Sequence, residues 1–217
     1  MKPIKKELAN KSNYGSKKSL PIKYIVIHYT GNDGDTDENN GKYFINNIVG
    51  TSAHYFVDSD SITQSVPDDF VAWHCGGKTY KHKYCRNSNS IGIEICDDVK
   101  NGKVYPSAQT IQNTLELVVY LMKKYNIPKE NVIRHYDVTG KHCPAYWVDD
   151  QKWKSEFWNK IEVDKMTDII KMIVDGKEIQ VERILHNGTN FVKIRDVANA
   201  MNYDVSARGN IPVLTKK

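Results

Sequence analysis

The chain has 217 residues, of which 40% are hydrophobic and 26% are charged, and its formal net charge is +5. This length can bury one sizeable core and a second, small one, and the composition is typical of a globular protein. No apolar run approaches the roughly 20 residues that a bilayer-spanning helix needs, which excludes a membrane span.

Basic residues are concentrated at the amino terminus, where residues 1–23 contain seven lysines and one glutamate. No apolar segment follows to complete a signal peptide, so we expect synthesis in the cytoplasm without one. A lysine cluster of this kind is typical of a solvated arm and can also contact anionic polymers. Nucleic acid is a poorer partner, because no stacking platform or nucleic-acid motif accompanies the lysines.

Strand and helix patterns alternate over the first 160 residues. Asp37 can cap a helix that runs through Ile48, and Ser107 can cap a clearer helix that Pro128 closes. An aromatic pattern predicts a last helix containing Trp153, Phe157 and Trp158. Apolar runs predict strands at residues 25–27, 53–58, 62–66 and 132–133. These elements predict an α/β fold with a mixed central β-sheet flanked by helices.

The carboxy-terminal segment follows a different pattern, in which short strands are separated by tight turns. Lys165, Met166 and Thr167 are the predicted linker, and Asp196 can cap a final helix through Met201. The chain therefore divides into a domain of residues 1–164 and a small α+β domain of residues 166–217. The predicted strands of the second domain are residues 169–174, 178–184 and 191–194, with turns at Asp175-Gly176 and Asn187-Gly188.

Two histidines and a cysteine form a candidate metal-binding set. His28 and His135 end predicted strands, and Cys143 lies on the loop after His135. Two imidazoles and a thiolate suit zinc, and three ligands leave a fourth position open for water, as in catalytic zinc sites. The residues alone leave an alternative open, in which the histidines are hydrogen-bonded and half-buried and the cysteine packs in the core. Cys75, Cys85 and Cys96 lack short paired spacings, so neither a disulfide framework nor a second metal site is predicted.

Five motifs over roughly residues 20–160 occur in one order along the chain. They are His28 after an apolar strand, Ser52-Ala53-His54-Tyr55-Phe56-Val57, Ala72-Trp73-His74-Cys75-Gly76, Ser90-Ile91-Gly92-Ile93-Glu94-Ile95 and Lys141-His142-Cys143-Pro144. Together they resemble the zinc N-acetylmuramoyl-L-alanine amidases of the type 2 class, which include many phage endolysins and are related to the peptidoglycan recognition proteins. The resemblance implies hydrolysis of the amide bond between N-acetylmuramic acid and L-alanine of the stem peptide in bacterial peptidoglycan.

The resemblance also implies roles for individual residues. One Zn²⁺ ion would be held by His28, His135 and Cys143, and its bound water would be the nucleophile. Glu94 matches the catalytic carboxylate of the family and would act as general base, while Lys141 would stabilise the oxyanion.

Ala53 stands where one branch of the family has a catalytic tyrosine, which leaves the proton transfer to Glu94. His54, Trp73 and His74 are predicted to form the walls of a substrate cleft, because a tryptophan offers an apolar face and a histidine a hydrogen bond. The alternative for these three residues is ordinary half-buried strand packing.

Two other functions remain open, a non-catalytic muropeptide-binding protein and a zinc endopeptidase that cuts within the stem peptide. Cys143 favours an active enzyme, because recognition proteins that bind without cutting commonly lack this ligand. Endolysins leave the cell through a phage holin, so the resemblance implies action on the cell wall after release. The lysine cluster would then be able to contact anionic wall polymers.

The pattern of residues 166–217, with its motif at residues 187–198, resembles a small stalk-like repeat of the copper amine oxidase amino-terminal type found in bacterial envelope proteins, and the resemblance covers about fifty residues. No copper ligands accompany this resemblance. An accessory domain on a lysin commonly binds the wall, and we expect this role for residues 166–217. A dimerisation or spacer module is the alternative, which leaves a homodimer open.

Overall fold

The computed structural model of the chain describes residues 1–162, 167–186, 189–209 and 211–217. Its backbone contacts divide the chain into two compact units, residues 1–162 and 163–217. Two of the predicted linker residues, Lys165 and Met166, lie outside the described residues, as does the predicted turn at Asn187-Gly188. None of the helices in these described ranges combines the length and the apolar composition that a membrane span requires.

A mixed six-stranded sheet forms the centre of the first unit. Its strands are β1 (Ile4–Lys6), β3 (Tyr24–Asp33), β4 (Tyr55–Val57), β5 (Ile62–Gln64), β7 (Ser90–Asp97) and β8 (Val132–Arg134). Their order is β1-β5-β4-β7-β3-β8, and β4 with β5 is the antiparallel pair of this sheet. A separate antiparallel pair consists of β2 (Tyr14–Lys17) and β6 (Phe70–Ala72). The predicted mixed central sheet is therefore confirmed.

Several strand boundaries differ from the prediction. The strand predicted to end at His28 continues as β3 to Asp33, although its regular pairing with β7 is interrupted after Tyr29. The strand predicted at residues 53–58 is the shorter β4, because the Asp58 side chain accepts the backbone N–H groups of Asp60 and Ser61 and closes a turn. Its partner, predicted at residues 62–66, is β5 and ends at Gln64.

Helices flank the sheet of the first unit, as predicted. They are α1 (Asp37–Asn46), α2 (Ala108–Tyr125), α3 (His135–Thr139) and α4 (Asp150–Glu156). Ser107 caps α2 as predicted, since its hydroxyl accepts the N–H of Thr110. The cap of α1 is Thr36 instead of Asp37, because the Asp37 carboxylate is buried and accepts hydrogen bonds from Ser61 and Thr63. This helix ends at Asn46, before the predicted Ile48.

The last predicted helix of the first unit is divided into α4 and a short 3₁₀ turn at Trp158–Lys160. Trp153 and Phe157 stack with ring centroids 5.1 Å apart, and both rings contact the fully buried Trp147. Aromatic burial of this size contributes strongly to packing. Trp153 and Phe157 thus pack against Trp147, in the segment that follows α3, and complete this part of the core.

The basic amino terminus is part of the fold and is not the solvated arm that its lysine content predicts. Strand β1 pairs in parallel with β5, and β2 pairs with β6. The Lys18 ammonium lies 2.8 Å from the carbonyl oxygen of Asp68 and 2.8 Å from Nε2 of His54. Burial lowers the pKa of Lys18 to about 8, against the opposing charges of Asp68 and Asp69. Backbone pairing therefore overrides the charge pattern here.

The second unit contains a three-stranded antiparallel sheet, a helix and a hairpin. The sheet has the order β11-β10-β9, with β9 (Thr167–Val174), β10 (Lys177–His186) and β11 (Thr189–Val192) close to the predicted strands. The helix α5 (Ile194–Ala200) begins before Asp196, so Asp196 is not its cap. The hairpin of β12 (Tyr203–Arg208) and β13 (Ile211–Lys216) was not predicted. Apolar and polar residues do alternate over residues 203–208, as is typical of a strand, so the sequence contained a signal for β12 that the prediction did not use.

Candidate active site

The structure brings His28, His135 and Cys143 together although they are distant in the sequence. Each is buried, and each offers a donor atom within 4.8 Å of the donor atoms of the other two. The Cys143 sulfur lies 3.7 Å from Nδ1 of His28, and the rings of His28 and His135 have centroids 4.7 Å apart. The predicted ligands therefore form one compact cluster inside the first unit.

Backbone geometry places these three residues in one cluster. His28 lies in β3, and His135 is the first residue of α3, directly after β8, which pairs with β3. Gly140 ends α3 in a left-handed conformation with φ of 82°, which a glycine adopts without strain. The chain then turns back, and the carbonyl of Cys143 accepts the N–H of Tyr136 at 2.9 Å. A helix of five residues and a glycine turn thus bring the thiol back to the histidines.

The electrostatics of the cluster favour neutral imidazoles with free lone pairs. Burial lowers the pKa of His28 well below its usual range and that of His135 to about 4. In the described part of the chain, neither ring nitrogen of His135 makes a hydrogen bond of normal length and angle, although the Gly76 backbone is close enough to raise its pKa against the effect of burial. Burial also raises the pKa of the Cys143 thiol to about 12, so a bound cation would have to displace its proton. Buried donor atoms without partners are costly, and a metal ion would satisfy them.

Glu94 and Lys141 lie beside the cluster. Glu94 is opposite His28 in the β3–β7 register, with its Oε1 3.9 Å from Nδ1 of His28. Its Oε2 is buried without a partner among the described residues. Burial raises the pKa of Glu94 to about 8, while Lys141 lowers it and Asp35 raises it.

A cavity of about 620 Å³ connects these residues to solvent. Glu94 and Lys141 line it, together with Tyr29 and Thr30 from β3 and several side chains of α1. A carboxylate and an ammonium group therefore face the same space next to the cluster. This is the arrangement required if one group moves a proton while the other stabilises negative charge.

His54, Trp73 and His74 do not line this cavity. His54 is fully buried, and its Nδ1 accepts the N–H of Gly92 while its Nε2 lies 3.1 Å from the carbonyl oxygen of Phe70. Trp73 is half-buried beside Gly15. His74 lies behind His28 with its Nδ1 3.0 Å from Nε2 of His28. The contacts favour supporting roles, and direct contact of these residues with substrate stays a prediction.

Ser90 is a site residue that the sequence analysis did not identify. Its hydroxyl is fully buried and lies 3.1 Å from Nε2 of His74. The signal that could have found it is strand alternation, because Ser90, Gly92 and Glu94 point to the same face of β7. A search for catalytic residue types passes over this serine, because its partner His74 is 16 positions away in the sequence.

The family profile and the relatives that match this sequence carry the same description. A family profile described as N-acetylmuramoyl-L-alanine amidase matches residues 18–146 of the chain. The N-acetylmuramoyl-L-alanine amidase CwlL of Bacillus licheniformis is 36% identical over 150 residues, which cover 65% of this chain and 41% of CwlL. The amidase CwlA of Bacillus subtilis (strain 168) is 35% identical over 152 residues, covering 69% of this chain and 54% of CwlA. This chain therefore spans about half the length of these relatives.

Solved structures share the fold of the first unit. The structure of PlyL is 35% identical with a TM-score of 0.59, and the match covers 73% of this chain and 96% of PlyL. The catalytic domain of XlyA is 28% identical with a TM-score of 0.60, and the match covers 73% of this chain and 99% of that domain. Both matched regions leave out about a quarter of this chain.

Proposed function

Because the chain belongs to the N-acetylmuramoyl-L-alanine amidase family, we propose that it is a peptidoglycan hydrolase. It would cleave the amide bond between N-acetylmuramic acid and L-alanine of the stem peptide and so lyse the bacterial cell wall. The observation that carries this proposal is the buried set of His28, His135 and Cys143, with Glu94 only 3.9 Å from His28. Lys141 and Glu94 line the adjoining cavity, where a substrate amide would have access to both.

Zinc fits the donor set of the cluster. Two imidazoles and one thiol are ligands that zinc prefers, and three protein ligands are typical of catalytic rather than structural sites. The unpartnered nitrogens of His135 and the 3.7 Å approach of the Cys143 sulfur to His28 support a cation at this position. Bound zinc would supply Lewis acidity, which makes water a nucleophile near neutral pH.

The chain's own groups would complete the chemistry. Glu94 would accept the proton of the attacking water and return it to the leaving amine of L-alanine. Its pKa of about 8 means that the carboxyl holds its proton strongly in the absence of a cation, and a nearby cation would favour the ionised, basic form. Lys141 would share the negative charge that develops on the carbonyl oxygen.

Mass spectrometry of digested peptidoglycan tests the proposal. We expect stem peptides with a free amino-terminal L-alanine and glycan strands without peptide. New peptide termini further along the stem would identify a zinc endopeptidase instead. The absence of any product, with muropeptide binding retained, would identify a non-catalytic receptor. The position of Glu94 next to His28 favours the hydrolase over the receptor.

We propose that the second unit is an accessory domain that binds the cell wall, as the resemblance of its sequence to an envelope stalk repeat implies. A spacer or dimerisation module is the alternative. The partner of the first unit would be peptidoglycan, reached after release from the cytoplasm. Anionic wall polymers would be secondary partners, contacted by exposed lysines of the amino-terminal segment such as Lys17.

A further inference from the structure

A chain of hydrogen bonds leads away from the proposed metal ligand His28. His28 Nε2 lies 3.0 Å from Nδ1 of His74. His74 Nε2 lies 3.1 Å from the hydroxyl oxygen of Ser90. That hydroxyl donates to the backbone carbonyl oxygen of Arg86 at 2.7 Å. The three side chains are nearly or completely buried, with exposures of 1%, 8% and 0% for His28, His74 and Ser90.

The position of each proton in this series of hydrogen bonds follows from its last member, the backbone carbonyl group of Arg86. A backbone carbonyl can only accept, so the single proton of Ser90 points to Arg86. The Ser90 oxygen must then accept from His74, which places the proton of the neutral His74 ring on Nε2. His74 Nδ1 is therefore bare and accepts from Nε2 of His28. His28 in turn carries its proton on Nε2, and its Nδ1 lone pair is free.

The free nitrogen of His28 is the one that faces the cluster. Nδ1 of His28 lies 3.7 Å from the Cys143 sulfur and 3.9 Å from Oε1 of Glu94. The opposite tautomer would place a proton at this nitrogen and block it as a ligand. The hydrogen-bond chain therefore determines whether His28 can bind a metal through Nδ1.

The space around His74 is equally restricted. A Cβ atom at Gly92 would lie 2.5 Å from Cγ of His74, so only glycine allows the ring to rest against β7. On its other side the His74 ring contacts His54, with centroids 5.5 Å apart. The ring therefore has one position, in which it can link His28 to Ser90.

We propose that His74 and Ser90 are positioning residues that hold His28 in the Nε2–H tautomer, with Nδ1 free to bind the metal ion. This inference rests on the proposed zinc site. Hydrogen bonds of this type to the second nitrogen of a metal-bound histidine orient the ring and raise its basicity, and their loss typically costs about 10–100-fold in metal affinity.

Two measurements test this proposal on the full chain. Nitrogen-15 NMR of the zinc-free protein should find His28 protonated on Nε2 in the wild type and in mixed tautomers in Ser90→Ala. Competition with a chromophoric chelator should show zinc affinity about 10–100-fold lower for Ser90→Ala. Ser65→Ala is the matched control, because Ser65 is also fully buried and its hydroxyl has no partner among the described residues. The control should keep the wild-type tautomer and affinity.

Two variants of His74 separate its hydrogen bond from its packing. The side-chain oxygen of His74→Asn can still accept from His28, whereas the ring of His74→Phe fills the space without accepting. We expect His74→Asn to bind zinc more tightly than His74→Phe. Wild-type His28 protonated on Nδ1, or equal zinc affinity of Ser90→Ala and Ser65→Ala, would overturn the proposal. A wild type that binds no zinc would contradict the proposed function instead, and the tautomer of zinc-free His28 would still decide this inference.

Discussion

Burial favours the protonated forms of Glu94 and Cys143, and a bound cation would favour their ionised forms. Burial raises the pKa of both groups, to about 8 and about 12. Protonated groups avoid the cost of a buried charge, and a divalent ion removes that cost by supplying the opposite charge. At the scale of single residues, these pKa shifts are consistent with the proposed cation site, and two substitutions separate cation binding from proton transfer.

The first prediction concerns proton transfer. Glu94→Gln should keep the fold and bound zinc but lower wall lysis on the order of 10²–10⁴-fold, because one general base contributes about this much. The measurement is turbidity loss of cell walls, alongside zinc content and circular dichroism. Glu116→Gln, on the outer side of α2, is the control and should keep wild-type activity. Activity of Glu94→Gln within a few-fold of wild type would show that another group accepts the proton.

The second prediction concerns the metal ligands. Cys143→Ser should bind zinc much more weakly, because a serine hydroxyl is a poorer ligand than a thiolate for this cation. Metal analysis after dialysis measures the effect. Cys96→Ser, which changes a buried cysteine outside the cluster, should retain zinc. Equal zinc content and affinity in the two variants would contradict the assignment of Cys143.

At the scale of elements, Asp68 joins the sheet to the end of α2. Tyr55 of β4 and Gln64 of β5 donate to one carboxylate oxygen at 2.6 and 3.0 Å. Lys124 and Tyr125 of α2 donate to the other at 2.9 and 2.6 Å. A single carboxylate, only 7% exposed, thus satisfies donors from three elements. A buried carboxylate with several donors stabilises a structure mainly because its removal leaves those donors unpaired.

The third prediction is that Asp68→Asn lowers the free energy of unfolding by on the order of 3 kcal/mol at pH 7, measured by urea denaturation. The asparagine side chain has the same shape as the Asp68 carboxylate, but its NH₂ group would face donor groups that need an acceptor. Asp69→Asn is the control, since its carboxylate is 59% exposed and pairs with Lys17 on the surface. We expect a change of about 0.5 kcal/mol or less for the control. Equal effects of the two variants would contradict this role of Asp68.

The fourth prediction is the pH dependence of this stabilisation. Burial pushes the pKa of Asp68 up, but hydrogen bonds from Tyr125, Tyr55 and Lys124 outweigh it and hold the pKa below its ordinary value. The ionised form therefore stabilises the fold above the unfolded-state pKa of about 3.9, and this contribution is lost as the pH falls through the folded-state pKa. The difference in unfolding free energy between wild type and Asp68→Asn should shrink below pH 4. A difference that is constant from pH 7 to pH 3 would exclude this linkage.

At the scale of the whole molecule, the residues proposed for chemistry all belong to the first unit, and the matched solved structures correspond to that unit. The second unit has its own sheet, with buried Val174 and Val181 on neighbouring strands. Each unit therefore has the internal pairing that independent folding requires.

The fifth prediction is that residues 1–164 fold alone, bind zinc and cleave a soluble muropeptide at the same bond as the full chain. Their activity on whole walls should fall, because a second tethered contact raises the effective concentration of enzyme at an insoluble substrate. Muropeptide turnover and wall pull-down of the full chain, residues 1–164 and residues 166–217 measure this. A full chain that is dimeric, with a monomeric truncation and no wall binding by residues 166–217, would identify an assembly module. Loss of muropeptide turnover in the truncation would show that the boundary is wrong.

The sequence alone determined the features that depend on local chemistry. The mixed sheet followed from apolar runs around His28 and Val132, and the start of α2 followed from the capping hydroxyl of Ser107. The residue types of His28, His135 and Cys143 made them candidate metal ligands, because ligand preference belongs to the side chain, and the family resemblance favoured this interpretation over ordinary packing. Their order, together with the Glu94 motif, was sufficient to indicate the family.

Only the tertiary structure decided the features that depend on contacts between distant residues. Pairing of β1 with β5 turned a lysine-rich segment into part of the sheet, which charge patterning cannot reveal. His74 became a partner of His28, 46 positions away, and Ser90 a partner of His74. A sequence pattern records which face of its own element a residue occupies, whereas the partner across that face depends on how the elements pack. The residues proposed for the chemistry could therefore be identified in the sequence, and the hydrogen bonds around them could not.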